Sequence, residues 1–180
     1  MRRYAVFLRA VTPTGKNRVP MAALREVLLD AGLVEVRTYI QSGNVVARAD
    51  GGRHQLERRV HDVVAEHIGP DLVVIARPAN RIRQILADVP FGDADRSRVH
   101  ITLLATRPTP ERVGEMLDVD LGGDRIEVRG DTVYALYEEA EGRSRFNLKY
   151  FERSLGVSGT TRGLNTMSAI ARLMDDVARS

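Results

Sequence analysis

Val34-Glu35-Val36-Arg37-Thr38-Tyr39-Ile40-Gln41-Ser42-Gly43-Asn44-Val45-Val46-Ala47-Arg48-Ala49 is the stretch on which the fold turns. Val34 to Ile40 and Val45 to Ala49 are rich in β-branched and apolar residues that suit a pleated, half-buried surface. Between them, Gln41-Ser42-Gly43-Asn44 offers the small, flexible residues of a hairpin, so the two runs pair antiparallel. Upstream, Tyr4 to Arg9 is a short apolar run suited to a central strand, closed by the polar turn Thr12-Pro13-Thr14-Gly15. A helix follows. Pro20 stands at its first turn, Met21, Leu24, Leu28 and Ala31 recur at helical spacing, and Gly32 can take the left-handed position at its end. Downstream of the hairpin, Asp50-Gly51-Gly52 breaks the chain, and Leu56, Val60, Val63, Val64 and His67 mark a second helix. Leu72 to Ala76 is then a fourth strand. The order β-α-β-β-α-β is that of a ferredoxin-like unit.

From Pro78 a connecting helix with Ile82, Ile85 and Leu86 as its apolar stripe leads to the Pro90-Phe91-Gly92 turn, and a second cycle begins. Val99 to Ala105 reads as a strand and Pro110 to Leu117 as a helix. Ile126 to Arg129 and Val133 to Tyr137 form a hairpin about Gly130-Asp131, and Leu148 to Leu155 is a helix ended by Gly156. A last strand is expected to be short or missing near 157–161, with a final helix from about Thr166 to Val177, N-capped by Asn165 or Thr166; Asn147 caps the helix before it. The fold class expected is α+β, two ferredoxin-like subdomains packed together, the second incomplete. The divisions fall at 1–77, 78–98 and 99–180. No Pro/Gly/Ser-rich linker separates the halves.

The chain has 180 residues, no cysteine and a formal net charge of +3. Lack of cysteine removes disulfides, thiolate nucleophiles and Cys-ligated zinc, and fits a reducing, cytoplasmic setting. Met1-Arg2-Arg3 with the apolar run after it resembles the start of a signal peptide. Arg9 interrupts that run without a small-residue cleavage pattern, so a buried strand is expected instead. No apolar stretch is long enough for a membrane span. Basic residues are concentrated at the two ends and acidic residues in 101–140, which is read as a solvated surface rather than a nucleic-acid footprint.

In a β-α-β-β-α-β unit the first two strands are parallel and end at one edge of the sheet. The loop after the first strand and the turn between the second and third therefore lie side by side. That edge gathers Arg9, Lys16 and Arg18 as cations and Asn17, Gln41, Ser42 and Asn44 as neutral hydrogen-bonding groups. The N–H groups at the start of the first helix join them. Such a set suits an anion, phosphate above all.

Other motifs are weaker. Gly15-Lys16 is followed by Asn17, and Ala10 stands where a P-loop needs glycine, so that kind of nucleotide hydrolysis is excluded. His54, His61 and His67 are spaced so that no pair shares a helical face as metal ligands, and His100 stands apart; no metal or cofactor is expected. Asp93-Ala94-Asp95 lacks the supporting oxygens of a calcium loop and reads as a turn. The third strand carries no aromatic residue, which disfavours the base stacking of an RNA-recognition module. Arg143, Arg145 and Arg162 precede helices and are given no functional role.

Several stretches together carry a resemblance. Gly15-Lys16-Asn17-Arg18-Val19-Pro20-Met21, Val36 to Val46, Arg98-Val99-His100-Ile101-Thr102, Gly142-Arg143-Ser144 and Leu155-Gly156-Val157 with Thr160-Thr161-Arg162 resemble the bacterial family called domain of unknown function 1697. The likeness runs over nearly the whole chain and implies two ferredoxin-like halves, without an activity. Members of that family typically read Arg-Gly-Ile-Asn-Val-Gly-Gly before Lys-Asn, where this chain has Arg9-Ala10-Val11-Thr12-Pro13-Thr14-Gly15. Their Thr-Thr-Arg-Asn-Trp-Asn-Thr is here Thr160-Thr161-Arg162-Gly163-Leu164-Asn165-Thr166. Loss of glycines and of a donor at Pro13 weakens any cradle built from backbone N–H groups in that loop.

The expectation is thus an intracellular protein that binds an anionic, phosphate-bearing small molecule, with Arg9, Lys16, Asn17, Arg18, Gln41, Ser42 and Asn44 at the pocket edge. An acylphosphatase-like enzyme, with Asn44 orienting water, and a protein-interaction module are the alternatives. The sequence leaves the oligomeric state open.

Overall fold

The computed structural model describes residues 1–176. In the first half, β1 (Arg2–Leu8), α1 (Met21–Asp30), β2 (Val34–Tyr39), β3 (Asn44–Ala49), α2 (Arg53–His67) and β4 (Val74–Pro78) follow the expected order. They make a four-stranded antiparallel sheet ordered β2-β3-β1-β4, with β1 paired to β3 on one side and β4 on the other. Tyr4, Val6 and Leu8 pack with Leu24 and Leu28 of α1 and Leu56 and Val60 of α2. Each such aliphatic side chain contributes about 1.5–3 kcal/mol when fully buried. Ala5 and Phe7, on the opposite face of β1, are buried as well. This is why β1 reads as a continuous apolar run rather than an alternating one.

Helix α1 ends as its sequence demands. Gly32 takes φ 83°, and the N–H groups of Gly32 and Leu33 return to the carbonyls of Leu29 and Leu28. Strand β2 is less regular than its sequence: Glu35 has φ 54° and the β2–β3 register shifts between Val34 and Arg37, so a bulge bends this edge strand.

After the connecting helix α3 (Ala79–Ala87), the second half runs β5 (Val99–Leu104), α4 (Pro110–Leu117), β6 (Arg125–Arg129), β7 (Thr132–Leu136), α5 (Leu148–Leu155) and β8 (Gly159–Gly163), and α6 (Leu164–Asp176) follows. Its sheet is ordered β6-β7-β5-β8, the same arrangement as the first. Here the sequence expectation is corrected: the last strand is present, and the second ferredoxin-like half is complete. Strand β8 pairs with β5 from Leu104↔Gly159 to His100↔Gly163. Its residues, Gly-Thr-Thr-Arg-Gly, show no apolar period, and only the ladder to β5 makes them a strand. Helix α6 starts directly after β8, so Asn165 and Thr166 lie inside its first turn and are not its caps. Val177 lies outside the described residues. Asn147, in contrast, caps α5, its Oδ1 accepting from Tyr150 N at 3.3 Å.

The duplication reaches individual residues. Arg77 on β4 lies opposite Ala5, and Arg162 on β8 lies opposite Ile101, at matching register in the two sheets. Strand β4 starts later than the expected Leu72 and takes in this arginine, which is fully buried. Arg77 Nη1 donates to Ala76 O at 2.9 Å, and Arg162 Nη1 donates to Thr161 O at 2.8 Å and Thr160 Oγ1 at 2.7 Å. Burial pulls the Arg162 guanidinium down to about 10. Glu57 of α2 covers the free side of β4, accepting from Ala76 N at 2.8 Å.

By compactness the chain divides into two units. One is Met1–Gln84 with the stretch from Ala169, the other Ile85–Ser168. Among the described residues no helix is long and apolar enough to cross a membrane.

Candidate functional site

At the end of β1, Leu8 N donates to Gly43 O of the β2–β3 turn at 2.9 Å. The turn thus lies directly against the loop that leaves β1. Gly43 has φ 73°, and a Cβ there would stand 2.7 Å from Val11 Cγ2 and 2.8 Å from Leu8 Cβ. Only glycine satisfies both the backbone angle and the close approach. The loop, residues 9–20, is itself folded. Thr12 N donates to Asn17 O at 3.1 Å, Arg18 N to Gly15 O at 3.2 Å and Thr12 Oγ1 to Thr14 O at 2.7 Å. Gly15, at φ 81°, makes the turn that carries Lys16 at its tip.

Two cavities of about 460 Å³ each open beside this loop. The first is bounded by Thr12, Arg18, Met21, Ala22, Arg25 and Gln41, the second by Lys16, Arg18, Ala23, His67, Ile68 and Gly69. Arg18 and Pro20 border both, and no carboxylate and no Phe, Tyr or Trp lines either. Helix α1 begins between them at Met21. Pro20 at its N-cap provides no side-chain cap, and its first turn holds no acid. Its leading N–H groups and the charges of Lys16, Arg18 and Arg25 therefore make this edge electropositive.

The seven residues singled out in the sequence fall into two groups. Lys16, Arg18 and Gln41 line the cavities. The others shape the walls. Asn17 Nδ2 donates to Ala10 O at 3.2 Å, clasping the loop. Asn44 is buried, 1 % exposed, and its Nδ2 donates to Tyr39 O at 3.1 Å and Ser42 Oγ at 2.8 Å inside the hairpin. Arg9 borders neither cavity, and its backbone N donates to Val73 O at 2.9 Å, just before β4. Arg25 escaped sequence reading. It sits one helical turn beyond Met21 and Ala22, where it joins the first cavity, and its Nη1 donates to Thr38 Oγ1 at 2.7 Å. Helical spacing from Pro20 was the available signal.

The second half contains the same edge in a different state. Leu104 N donates to Asp131 O at 2.9 Å and Ala105 N to Ser158 O at 2.8 Å, matching the bonds of Leu8 and Arg9. There the connection is short, residues 105–109. Thr109 caps α4 by accepting from Arg112 N at 3.4 Å, with Pro110 and Glu111 in the first turn. One fold thus appears with its helix start closed in the second half and left open and basic in the first.

A family model described as "Protein of unknown function (DUF1697)" matches residues 1–134. The chain belongs to this family. Among solved structures, the conserved bacterial protein SP0830 from Streptococcus pneumoniae is similar over 97 % of this chain and 99 % of its own, with a TM-score of 0.73 and 21 % identity. That likeness shows the fold. No curated protein matches the chain. Against the DUF1697 pattern, Ala10 stands where glycine is usual and holds φ 56°, a left-handed angle that strains a residue with a Cβ. Ile40, next to Gln41, also holds a left-handed φ, 51°, although it is β-branched and 53 % exposed. Leu164, in place of the usual tryptophan, is buried at the start of α6.

Several other polar groups of this DUF1697 chain have structural employment. Among the described residues no three His, Asp or Glu side chains assemble as metal ligands. His61 lies between Asp62, at 2.9 Å, and Asp71, at 2.8 Å, and these bonds raise its pKa, that to Asp62 most. Asp95 accepts from Ser97 N at 2.9 Å and Ser97 Oγ at 2.8 Å, the turn expected there. A cavity of about 480 Å³ in the second unit is lined by Asp120, Asp124, Glu138 and Glu139 against Arg143 and Arg145, an excess of acid that disfavours an anion. Gly142-Arg143-Ser144 stitches its wall: Ser144 Oγ donates to Asp124 Oδ2 at 2.6 Å, and Arg143 Nη1 pairs with Glu139 at 2.9 Å. Tyr137 OH donates to Phe146 O at 2.8 Å, and burial, aided by Glu141 and Asp124, keeps its phenol protonated.

Proposed function

We propose that the protein binds a small anionic, phosphate-bearing molecule at the edge formed by loop 9–20 and the β2–β3 hairpin. Lys16, Arg18, Arg25 and Gln41 make the contacts, and Asn17, Ser42 and Asn44 hold the loop and hairpin in shape. One observation carries this reading. The two cavities at the edge are lined by cations without a carboxylate, beside an uncapped helix start, whereas the matching edge of the second half is capped and carries an acid. A duplicated fold thereby supplies its own control: the ferredoxin-like architecture does not require an open basic edge. Guanidinium groups and free helix N–H donors are the groups that recognise phosphate best. Asn44 spends amide hydrogen bonds within the hairpin, which favours binding over an acylphosphatase-like hydrolysis that would use it to orient water. A cytoplasmic setting belongs to the same reading, since a chain without cysteine suits a reducing compartment.

The test is a thermal-shift screen of inorganic phosphate and phosphorylated metabolites on the wild type, Arg18→Ala and Arg25→Ala. A ligand at one hundred times its dissociation constant stabilises by about 2.7 kcal/mol, an easily measured rise in melting temperature. The expected outcome is a shift that both substitutions remove. No shift with any phosphate compound, or shifts that survive both substitutions, refutes the proposal.

A further inference from the structure

Two cavities, rather than one, share the Arg18 and Pro20 border, and each has a second cation of its own. On one side is Arg25, with Gln41 beside it; on the other is Lys16 at the tip of the Gly15 turn, facing His67. Pro20 has no N–H to offer, so Arg18 is the residue with a polar side chain common to both linings, and a guanidinium's planar fork presents donors along two edges. A single phosphate held between Arg18 and Arg25 would leave Lys16 without an anionic partner from the ligand. No Phe, Tyr or Trp lines either space and the one aromatic ring is the His67 imidazole, so the broad platform usual for a nucleobase is lacking. The apolar surface available is aliphatic: Met21 and Val19 in the first cavity, Ala23, Ile68 and Pro70 in the second.

Resting on the anion-site reading above, we infer that the ligand is an aliphatic molecule with two anionic groups, one held by Arg18 and Arg25 and the other by Lys16, with Arg18 between them. Compounds of this class are bisphosphates and phosphocarboxylates of short, non-aromatic carbon chains. Nucleotides fit less well, because their base would find no Phe, Tyr or Trp and only the His67 imidazole to stack on.

Isothermal titration with inorganic phosphate, short linear alkanediol bisphosphates and adenosine diphosphate tests this on the wild type, Lys16→Ala and Arg25→Ala. Lys16 is exposed, so its truncation leaves the core intact. The wild type is expected to bind the best bisphosphate at least tenfold more tightly than inorganic phosphate. Lys16→Ala should weaken the bisphosphate far more than inorganic phosphate and so abolish that preference, and Arg25→Ala should weaken both alike. Equal affinity for one and two phosphates, or equal weakening of both by Lys16→Ala, overturns the two-anion assignment and leaves the anion site standing. Tighter binding of adenosine diphosphate than of every bisphosphate overturns the aliphatic assignment. Failure of all three compounds to bind overturns this inference and the site together.

Discussion

Replacing Gly43 by alanine tests the juxtaposition of loop and hairpin on which both fold and site depend. The residue holds φ 73°, a left-handed angle that costs an L-residue with a side chain about 1–2 kcal/mol. The new methyl would also stand 2.7 Å from Val11 Cγ2 and 2.8 Å from Leu8 Cβ, far inside carbon–carbon contact. Leu8 is completely buried in β1 and has no room to retreat; overpacking of that kind typically costs about 1–3 kcal/mol. Restricting the unfolded chain returns about 0.4–1 kcal/mol. Gly43→Ala should therefore lose about 1–4.5 kcal/mol of stability. Urea denaturation followed by circular dichroism measures it, with an unchanged denaturant slope showing that the unfolded state is not what moved. The same substitution should weaken phosphate binding, because Gln41 and Arg18 stand on the two walls that the methyl would push apart. A loss below about 0.5 kcal/mol, the range of an ordinary surface change, would mean that the turn does not rest on the end of β1, and the site argument would fall with it.

Ala10→Gly should act in the opposite direction, raising stability by about 0.5–1 kcal/mol in the same denaturation assay. Relief of the φ 56° strain outweighs the extra freedom that glycine gives the unfolded chain. Tyr137→Phe should lose about 1–3 kcal/mol, since the substitution leaves the Phe146 carbonyl without the phenol that bonds it; an unchanged urea midpoint would contradict this. His61 has a folded-state pKa raised by Asp62 and Asp71, so its contribution is complete below its unfolded value near 6.5 and fades as pH rises through the folded value. Urea midpoints at mildly acidic and mildly alkaline pH should therefore fall further for the wild type than for His61→Ala, and parallel changes in the two would rule the coupling out.

Much of this fold is written locally. The period of Met21, Leu24 and Leu28, the left-handed Gly32 and Gly156, and the apolar runs around Ser42-Gly43 each act through neighbours in the chain, and the helices, the first sheet and the order of elements follow from them. The pairing of the loop with the hairpin was also legible, since strand direction alone brings those two ends to one edge. Strand β8 was not legible, because Gly-Thr-Thr-Arg-Gly becomes a strand through its bonds to β5 rather than through any preference of its own. Nor was the covering of two arginines. A guanidinium is assigned to solvent by its chemistry, and Arg77 is buried and Arg162 half-buried because tertiary packing supplies oxygens to receive them. At the candidate site the sequence by itself determined which chemistry was present: cations, amides and no carboxylate in the loop. Tertiary structure alone decided its allocation, turning Asn17 and Asn44 inward to hold the walls, bringing in Arg25 from the next turn of α1, and setting Arg18 between two cavities. The physical reason is that composition is carried by each residue separately, whereas the direction of a side chain is set by what packs against it.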